Sequence, residues 1–277
     1  PGLYVVATPI GNLGDITIRA LEVLAVADIV ACEDTRVTPV LLRHYGIAAR
    51  LTPYHDHNAA AQRPKLLAAL AEGKVVALVS DAGTPLVSDP GYKLVVEAQA
   101  EGHAVFPIPG ASALLAGLVA SGLPSDSFLF AGFLPPKTAA RRKRLAELAA
   151  VPATLGFFEP GPRVAGALAD VAEVLGGDRL AVVARELTKA FETVRRDTAA
   201  ALAATLAGEP APKGEIVLLV GPPVERTASP EDADAILRRL LADHAVGDAA
   251  SEAARRTGLP RRDLYRRALA LKDGDGD

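Results

Sequence analysis

Neither tryptophan nor methionine occurs among the 277 residues, and aromatic residues make up only 4%. Packing must therefore rest on Ala, Leu and Val in a chain that is 50% hydrophobic, enough for substantial cores. The single cysteine, Cys32, excludes an intramolecular disulfide framework and fits a reducing compartment, so a cytoplasmic location is expected. No apolar run is long enough to span a bilayer. His55 and His57 form an H-x-H pair, but no second Cys or His group completes a zinc set, and no metal is expected. A net charge of −3 does not advertise a nucleic-acid binder. Its distribution says more: Lys137, Arg141, Arg142, Lys143 and Arg144 form one basic group, and Arg255, Arg256, Arg261, Arg262, Arg266 and Arg267 form another.

What is present is an alternation of short apolar runs and helical spacings. A β-branched run over 75–79 predicts a buried strand. It ends in Ser80, Asp81, Ala82, Gly83, Thr84 and Pro85, and a second polar turn, Ser88-Asp89-Pro90-Gly91, precedes a helix. Ligands of open α/β sheets bind beyond the carboxyl ends of strands, which makes this stretch the centre of the reading. Upstream, a strand over 3–8 runs into Pro9-Ile10-Gly11-Asn12-Leu13-Gly14-Asp15 and a helix from about Thr17. This is the start of a nucleotide-binding βαβ unit, yet the loop is G-x-x-G and the dinucleotide fingerprint is missing. Strands over 29–32 and 50–53 end in Glu33-Asp34-Thr35-Arg36 and in Tyr54-His55-Asp56-His57-Asn58, the densest polar cluster of the chain. A strand over 104–107 and the turn Pro109-Gly110-Ala111-Ser112-Ala113 complete a mostly parallel sheet with helices on both faces.

The pattern changes after residues 122–126. Strands over 128–133, 154–159, 180–185, 191–197 and 216–220 alternate with helices over 138–149, 163–175 and 198–206, predicting a second α/β layer with mixed strand directions. Beyond Pro222-Pro223 a Ser229-Pro230-Glu231-Asp232 cap introduces a helix, and two further helices flank Thr257-Gly258-Leu259-Pro260 in a helix-turn-helix pattern. Three segments are expected: an α/β domain over 1–122, a second over 123–224, and a helical module over 225–277.

Taken in order, LYVVATPIGNLGDIT (3–17), ACEDTR (31–36), SDAGTPLVSDPG (80–91), PGASA (109–113) and KGEIVLLVG (213–221) resemble the ribosomal RNA branch of the tetrapyrrole methylases, the class III S-adenosylmethionine-dependent methyltransferases. The resemblance extends to TGLPRRDLYRRAL near the C-terminus. It implies two α/β domains with the cofactor, S-adenosylmethionine, in the cleft between them, a homodimer, and 2′-O-methylation of a cytidine in the decoding region of 16S rRNA in the small subunit. By position it implies cofactor contacts from Ile10, Ala82, Gly83, Thr84, Val87, Ser112 and Ala113. From the second domain it implies Phe158, Glu159, Leu187, Gly214, Glu215 and Ile216. The tetrapyrrole enzymes carry an acid in a G-G-D-P pattern where this chain reads Ala82-Gly83-Thr84-Pro85, a departure that suits the RNA branch.

A ribose 2′-hydroxyl is a poor nucleophile while protonated, so a proton acceptor is expected among the polar strand ends. Asp81 and His55 are the candidates; Asp34 and Arg36 would orient the RNA and Asn58 read a base edge. Arg141, Arg142, Arg261 and Arg262 would grip phosphates. Two other readings stay open: a tetrapyrrole C-methyltransferase, and a non-catalytic nucleotide-sensing regulator with a helix-turn-helix.

Overall fold

A computed structural model of the chain describes residues 1–223 and 230–274. The expected cap residue Ser229 lies outside these. The chain divides into two compact units that part after Pro223.

The larger unit contains two five-stranded sheets. The first is built from β1 (Gly2–Val6), β2 (Ile29–Cys32), β3 (Leu51–Pro53), β4 (Val75–Val79) and β5 (Val105–Ile108). All its pairings are parallel, in the order β3-β2-β4-β1-β5. Helices α1 (Ile18–Val26), α2 (Thr38–His44), α3 (Ala59–Ala71) and α4 (Tyr92–Ala100) accompany these strands. One face buries Leu3, Ala31, Val76 and Leu78 with Leu66, Leu70 and Leu94, and the other buries Val6, Val30, Ala77 and Val79 with Ala20, Leu24 and Leu42. Burial on both faces explains why these strands read as unbroken apolar runs. The chain leaves β1 toward β2 on one side and leaves β4 toward β5 on the other. The adjacent carboxyl ends of β1 and β4 therefore form the crevice where such sheets bind ligands.

Helix α5 (Ala113–Ser121), capped by Ser112, leads to the second sheet. This comprises β6 (Phe128–Phe133), β7 (Thr154–Pro160), β8 (Leu180–Arg185), β9 (Thr193–Thr198) and β10 (Glu215–Val220), in the order β6-β7-β10-β8-β9. Only β6 and β7 run parallel; the other neighbours are antiparallel, as the mixed pattern predicts. One face buries Leu155, Phe157, Val183, Ile216 and Leu218 in a core to which α6 (Thr138–Leu148), α7 (Val164–Leu175) and α8 (Ala199–Ala207) contribute. The alternate residues Phe158, Ala184, Val217 and Leu219 pack on the opposite side with Ile10, Ala113 and Leu114.

The smaller unit has three helices, α9 (Pro230–Leu241), α10 (Val246–Thr257) and α11 (Arg261–Gly274). Ala233, Leu237, Leu240, Ala249, Ala250, Ala253, Leu264 and Ala268 form its core. Gly258, at φ 70°, ends α10 in the left-handed conformation that glycine adopts without steric cost, and the next helix follows at once. This is the helix-turn-helix expected from the sequence.

Candidate active site

A cavity of about 420 Å³ lies at the carboxyl ends of β1, β4 and β5 and against the second sheet. Its size suits a molecule of nucleoside–amino-acid dimensions. Ile10 follows β1, residues 82–84 and 87–89 follow β4, and Ser112 and Ala113 follow β5. The second sheet contributes Phe133, Phe158, Ala184, Val217, Gly214 to Ile216, and the loop holding Glu186, Leu187 and Lys189. Phe158, Val217 and Ala184 are register partners across β7, β10 and β8, so their side chains share one row facing the cavity side.

Local hydrogen bonds fix the loop after β4. Gly83 exchanges backbone bonds with Thr8 at 2.8 and 3.0 Å, and the Thr8 hydroxyl donates to the Ser80 carbonyl at 3.1 Å. Thr84 Oγ1 donates to the Ala111 carbonyl at 3.1 Å, tying this loop to the turn after β5. Gly83 has φ 78°, and a Cβ there would lie 3.3 Å from Ile10 Cγ2. The cradle therefore suits glycine both by conformation and by space.

Four non-glycine residues have positive φ among those described: Leu86, Ser88, Glu186 and Thr188. All lie in the two loops that border the cavity, where backbone strain commonly serves function. In the second loop Lys189 Nζ pairs with Glu186 Oε1 at 3.0 Å, and the Lys189 side chain lies directly over Gly11.

Every residue expected to contact a cofactor borders this cavity except Glu159. Glu159 follows Phe158 in an extended strand, so its side chain points to the opposite face. There it is fully buried and paired with Arg163 Nε at 3.1 Å. Burial pushes its carboxyl upward while Arg163 and Arg141 pull the other way. The expectation that Glu159 closes over a ligand is corrected to a buried ion pair. Ser88, Asp89, Phe133, Ala184, Glu186, Lys189 and Val217 also line the cavity and were missed. For Ser88 and Asp89 the signal was present, in the second polar turn after β4.

Asp34, Arg36, His55, Asn58 and Asp81 lie at neighbouring strand ends but do not line the cavity. Asp81 Oδ1 accepts a bond from the Asp34 amide at 3.0 Å, joining two of these loops, and burial raises its carboxyl above the ordinary range. Asp34 pairs with Arg36 at 2.6 Å, and hydrogen bonds from that residue hold its carboxyl down at about 2. The Asn58 amide is engaged in its own turn, accepting from the His55 amide at 2.9 Å and donating to the Pro53 carbonyl at 3.0 Å. His55 Nδ1 is buried without a hydrogen-bond partner.

The basic helix α6 requires a second correction. Arg141 shares the buried face with Leu145 and Leu148 at helical spacing, and its guanidinium meets Asp170 of α7 at 2.6 Å. It is not available to phosphate. Arg142 is half-exposed but bridges Asp170 and Glu173 at 2.7 and 2.5 Å. In the smaller unit Arg261 and Arg262 are both exposed, and Arg261 Nε donates to Ser251 Oγ at 2.8 Å.

The sequence profile of the tetrapyrrole (corrin/porphyrin) methylases matches residues 2–203, and that of the RsmI C-terminal HTH domain matches residues 227–272. A protein of Mesorhizobium japonicum named ribosomal RNA small subunit methyltransferase I is 60% identical over 279 residues, covering 100% of this chain and 95% of that protein. A protein of the same name from Erythrobacter litoralis is 56% identical over 272 residues, covering 98% of this chain and 96% of its own. Among solved structures, that of the methyltransferase CobJ superposes with a TM-score of 0.60 at 21% identity, covering 80% of this chain and 94% of that one, a likeness of fold. On this cleft, these two sheets and this helical unit, the chain belongs to the ribosomal RNA small subunit methyltransferase I family of the tetrapyrrole methylases.

Proposed function

We propose that this chain transfers a methyl group from S-adenosylmethionine to the ribose 2′-oxygen of a cytidine in the decoding region of 16S rRNA. The carrying observation is the cavity itself, bordered by the residues at which the family resemblance expects cofactor contacts, Glu159 apart. Its walls suit that molecule. The row of Phe158, Val217 and Ala184 gives an apolar surface for a purine, Gly83 lets a ligand approach the backbone, and Thr84, Ser112 and Glu215 supply polar groups. The sulfonium supplies an activated methyl; the chain must align the hydroxyl with it, exclude water and take up a proton.

In this reading residues 1–122 face the RNA and share the cofactor, residues 123–224 complete the cofactor site, and residues 225–277 add phosphate contacts through Arg261 and Arg262. Asp34, Arg36, His55, Asn58 and Asp81 form the polar margin toward the nucleotide. A homodimer is supported by apolar side chains left exposed on α5 (Leu115, Val119), on the sheet-edge strand β5 (Phe106) and on the sheet-edge strand β6 (Phe128, Leu129). Among the described residues no helix is long and apolar enough to cross a membrane. With its lone thiol buried and free, the chain suits the cytoplasm, where small subunits are assembled.

The test is transfer of labelled methyl from S-adenosylmethionine to small subunits lacking decoding-centre modification, followed by mapping of the nucleosides. Label on a cytidine 2′-oxygen is expected. Cofactor binding with label only on a tetrapyrrole would overturn the RNA reading.

A further inference from the structure

We propose that Asp89 is the group that accepts the ribose 2′-hydroxyl proton, an assignment resting on the methyltransferase reading above. Four acidic side chains at the neighbouring strand ends, Glu33, Asp34, Asp56 and Asp81, do not border the cavity; Asp89 does. The other cavity carboxylates are placed differently. Glu186 is neutralised by Lys189 at 3.0 Å, and Glu215 is exposed at the start of β10 in the opposite wall.

The backbone delivers Asp89 there by an unusual path. Leu86 and Ser88 take φ values of 72° and 65°, and Gly91 takes 133°. The loop is thereby wound so that Asp89 lies half-buried on the cavity side, while the Ser80 hydroxyl donates to the carbonyls of Ala82 and Gly83 at 3.2 Å and holds the first turn after β4 in place. Asp89 has no competing duty as a helix cap, because α4 begins after Gly91 and no side chain caps it.

Its surroundings keep the carboxylate basic. Burial is the main cause that raises it to about 6; the Ser80 hydroxyl opposes this, and Asp81 and Asp56 add repulsion. Glu33, at the end of β2, feels Asp89 in turn. A base tuned this way is ionised at neutral pH yet far more proton-hungry than a surface aspartate. In the step itself the ribose O–H bond breaks and its proton passes to a carboxylate oxygen of Asp89. The ribose oxygen forms the new O–C bond as the C–S bond of the sulfonium breaks, its electron pair returning to sulfur.

The experiment compares wild type with Asp89→Asn on small subunits, with cofactor affinity measured by calorimetry. Turnover is expected to fall at least about 100-fold with the cofactor Kd within about threefold. The acid limb of the wild-type rate profile near pH 6 should disappear. Independently of activity, carboxyl-labelled aspartate NMR should show a resonance titrating near 6 that is missing from the variant. Asp89→Ser, which keeps a small polar side chain in the turn, is the second variant and should lose turnover equally. Turnover retained within threefold, an unchanged acid limb, or a cofactor affinity that falls in step with the rate would overturn the assignment while leaving the methyltransferase reading intact. A wild type that labels no RNA would overturn both.

Discussion

Asp89 ties stability to pH in a direction opposite to that of a salt-bridged aspartate. Its carboxyl stands near 6 in the folded chain against an ordinary 3.8, so the fold binds this proton more tightly than the unfolded chain does. The stabilisation is present at low pH and lost as pH rises from about 4 through 6, because over that window the unfolded state has already released its proton. Asp89→Asn removes the buried charge. It should make the protein more stable than wild type by about 1–2 kcal/mol at pH 7.5, a figure reduced from the full shift because the site is only half-buried. The gap should close near pH 4; urea unfolding at both pH values checks it. Arg141 behaves oppositely. It and Asp170 are both buried, so Arg141→Ala leaves an uncompensated carboxylate and should cost about 3–5 kcal/mol in the same measurement. A basic residue beside three other cations reads as a phosphate ligand in sequence. Only the packing partner on α7 shows that it is part of the core.

At the scale of elements, strand alternation decides the function of neighbours. Phe158 and Glu159 are adjacent in β7 yet face opposite sides of the second sheet. Phe158→Ala should weaken S-adenosylmethionine binding about tenfold with the fold intact. Glu159→Gln should leave that affinity within about twofold, since it lies outside the cavity; calorimetry on both variants tests the parity. The elements themselves were largely legible. Buried parallel strands advertise themselves by unbroken β-branched runs, and the helix starts near Thr17, Ser112 and Thr198 are fixed by capping bonds that each of these side chains accepts. The second wall of the cavity was only partly legible. Ala184, Val217 and Phe133 enter it through register and sheet order, which bring together positions far apart in sequence.

For the molecule as a whole, the division after Pro223 separates a unit that contains the cavity from a small helical unit rich in arginine. Several of those arginines are already paired: Arg255 and Arg256 with Glu252, Arg266 with Asp263, and Arg267 with Asp234. Charge counted from the sequence therefore overstates the phosphate contacts available. Arg262→Ala should reduce the slope of log affinity for ribosomal RNA against log salt by roughly 0.7–0.9, the contribution of one phosphate contact, without altering cofactor affinity. Filter binding between 50 and 200 mM salt is a suitable range (roughly) for reading it. The sequence by itself determined the α/β alternation, the change of pattern near residue 122, the helix-turn-helix and the turns after β1, β4 and β5 that border the cavity. These are local properties, carried by periodicity, turn residues and short polar runs. Tertiary structure alone decided that Glu159 and Arg141 are buried ion-pair residues and that Asp89, rather than Asp81, borders the cavity. The physical reason is that exposure and charge partnership are set by residues distant in sequence, and a strained loop can redirect a carboxylate that its sequence position would leave at the surface.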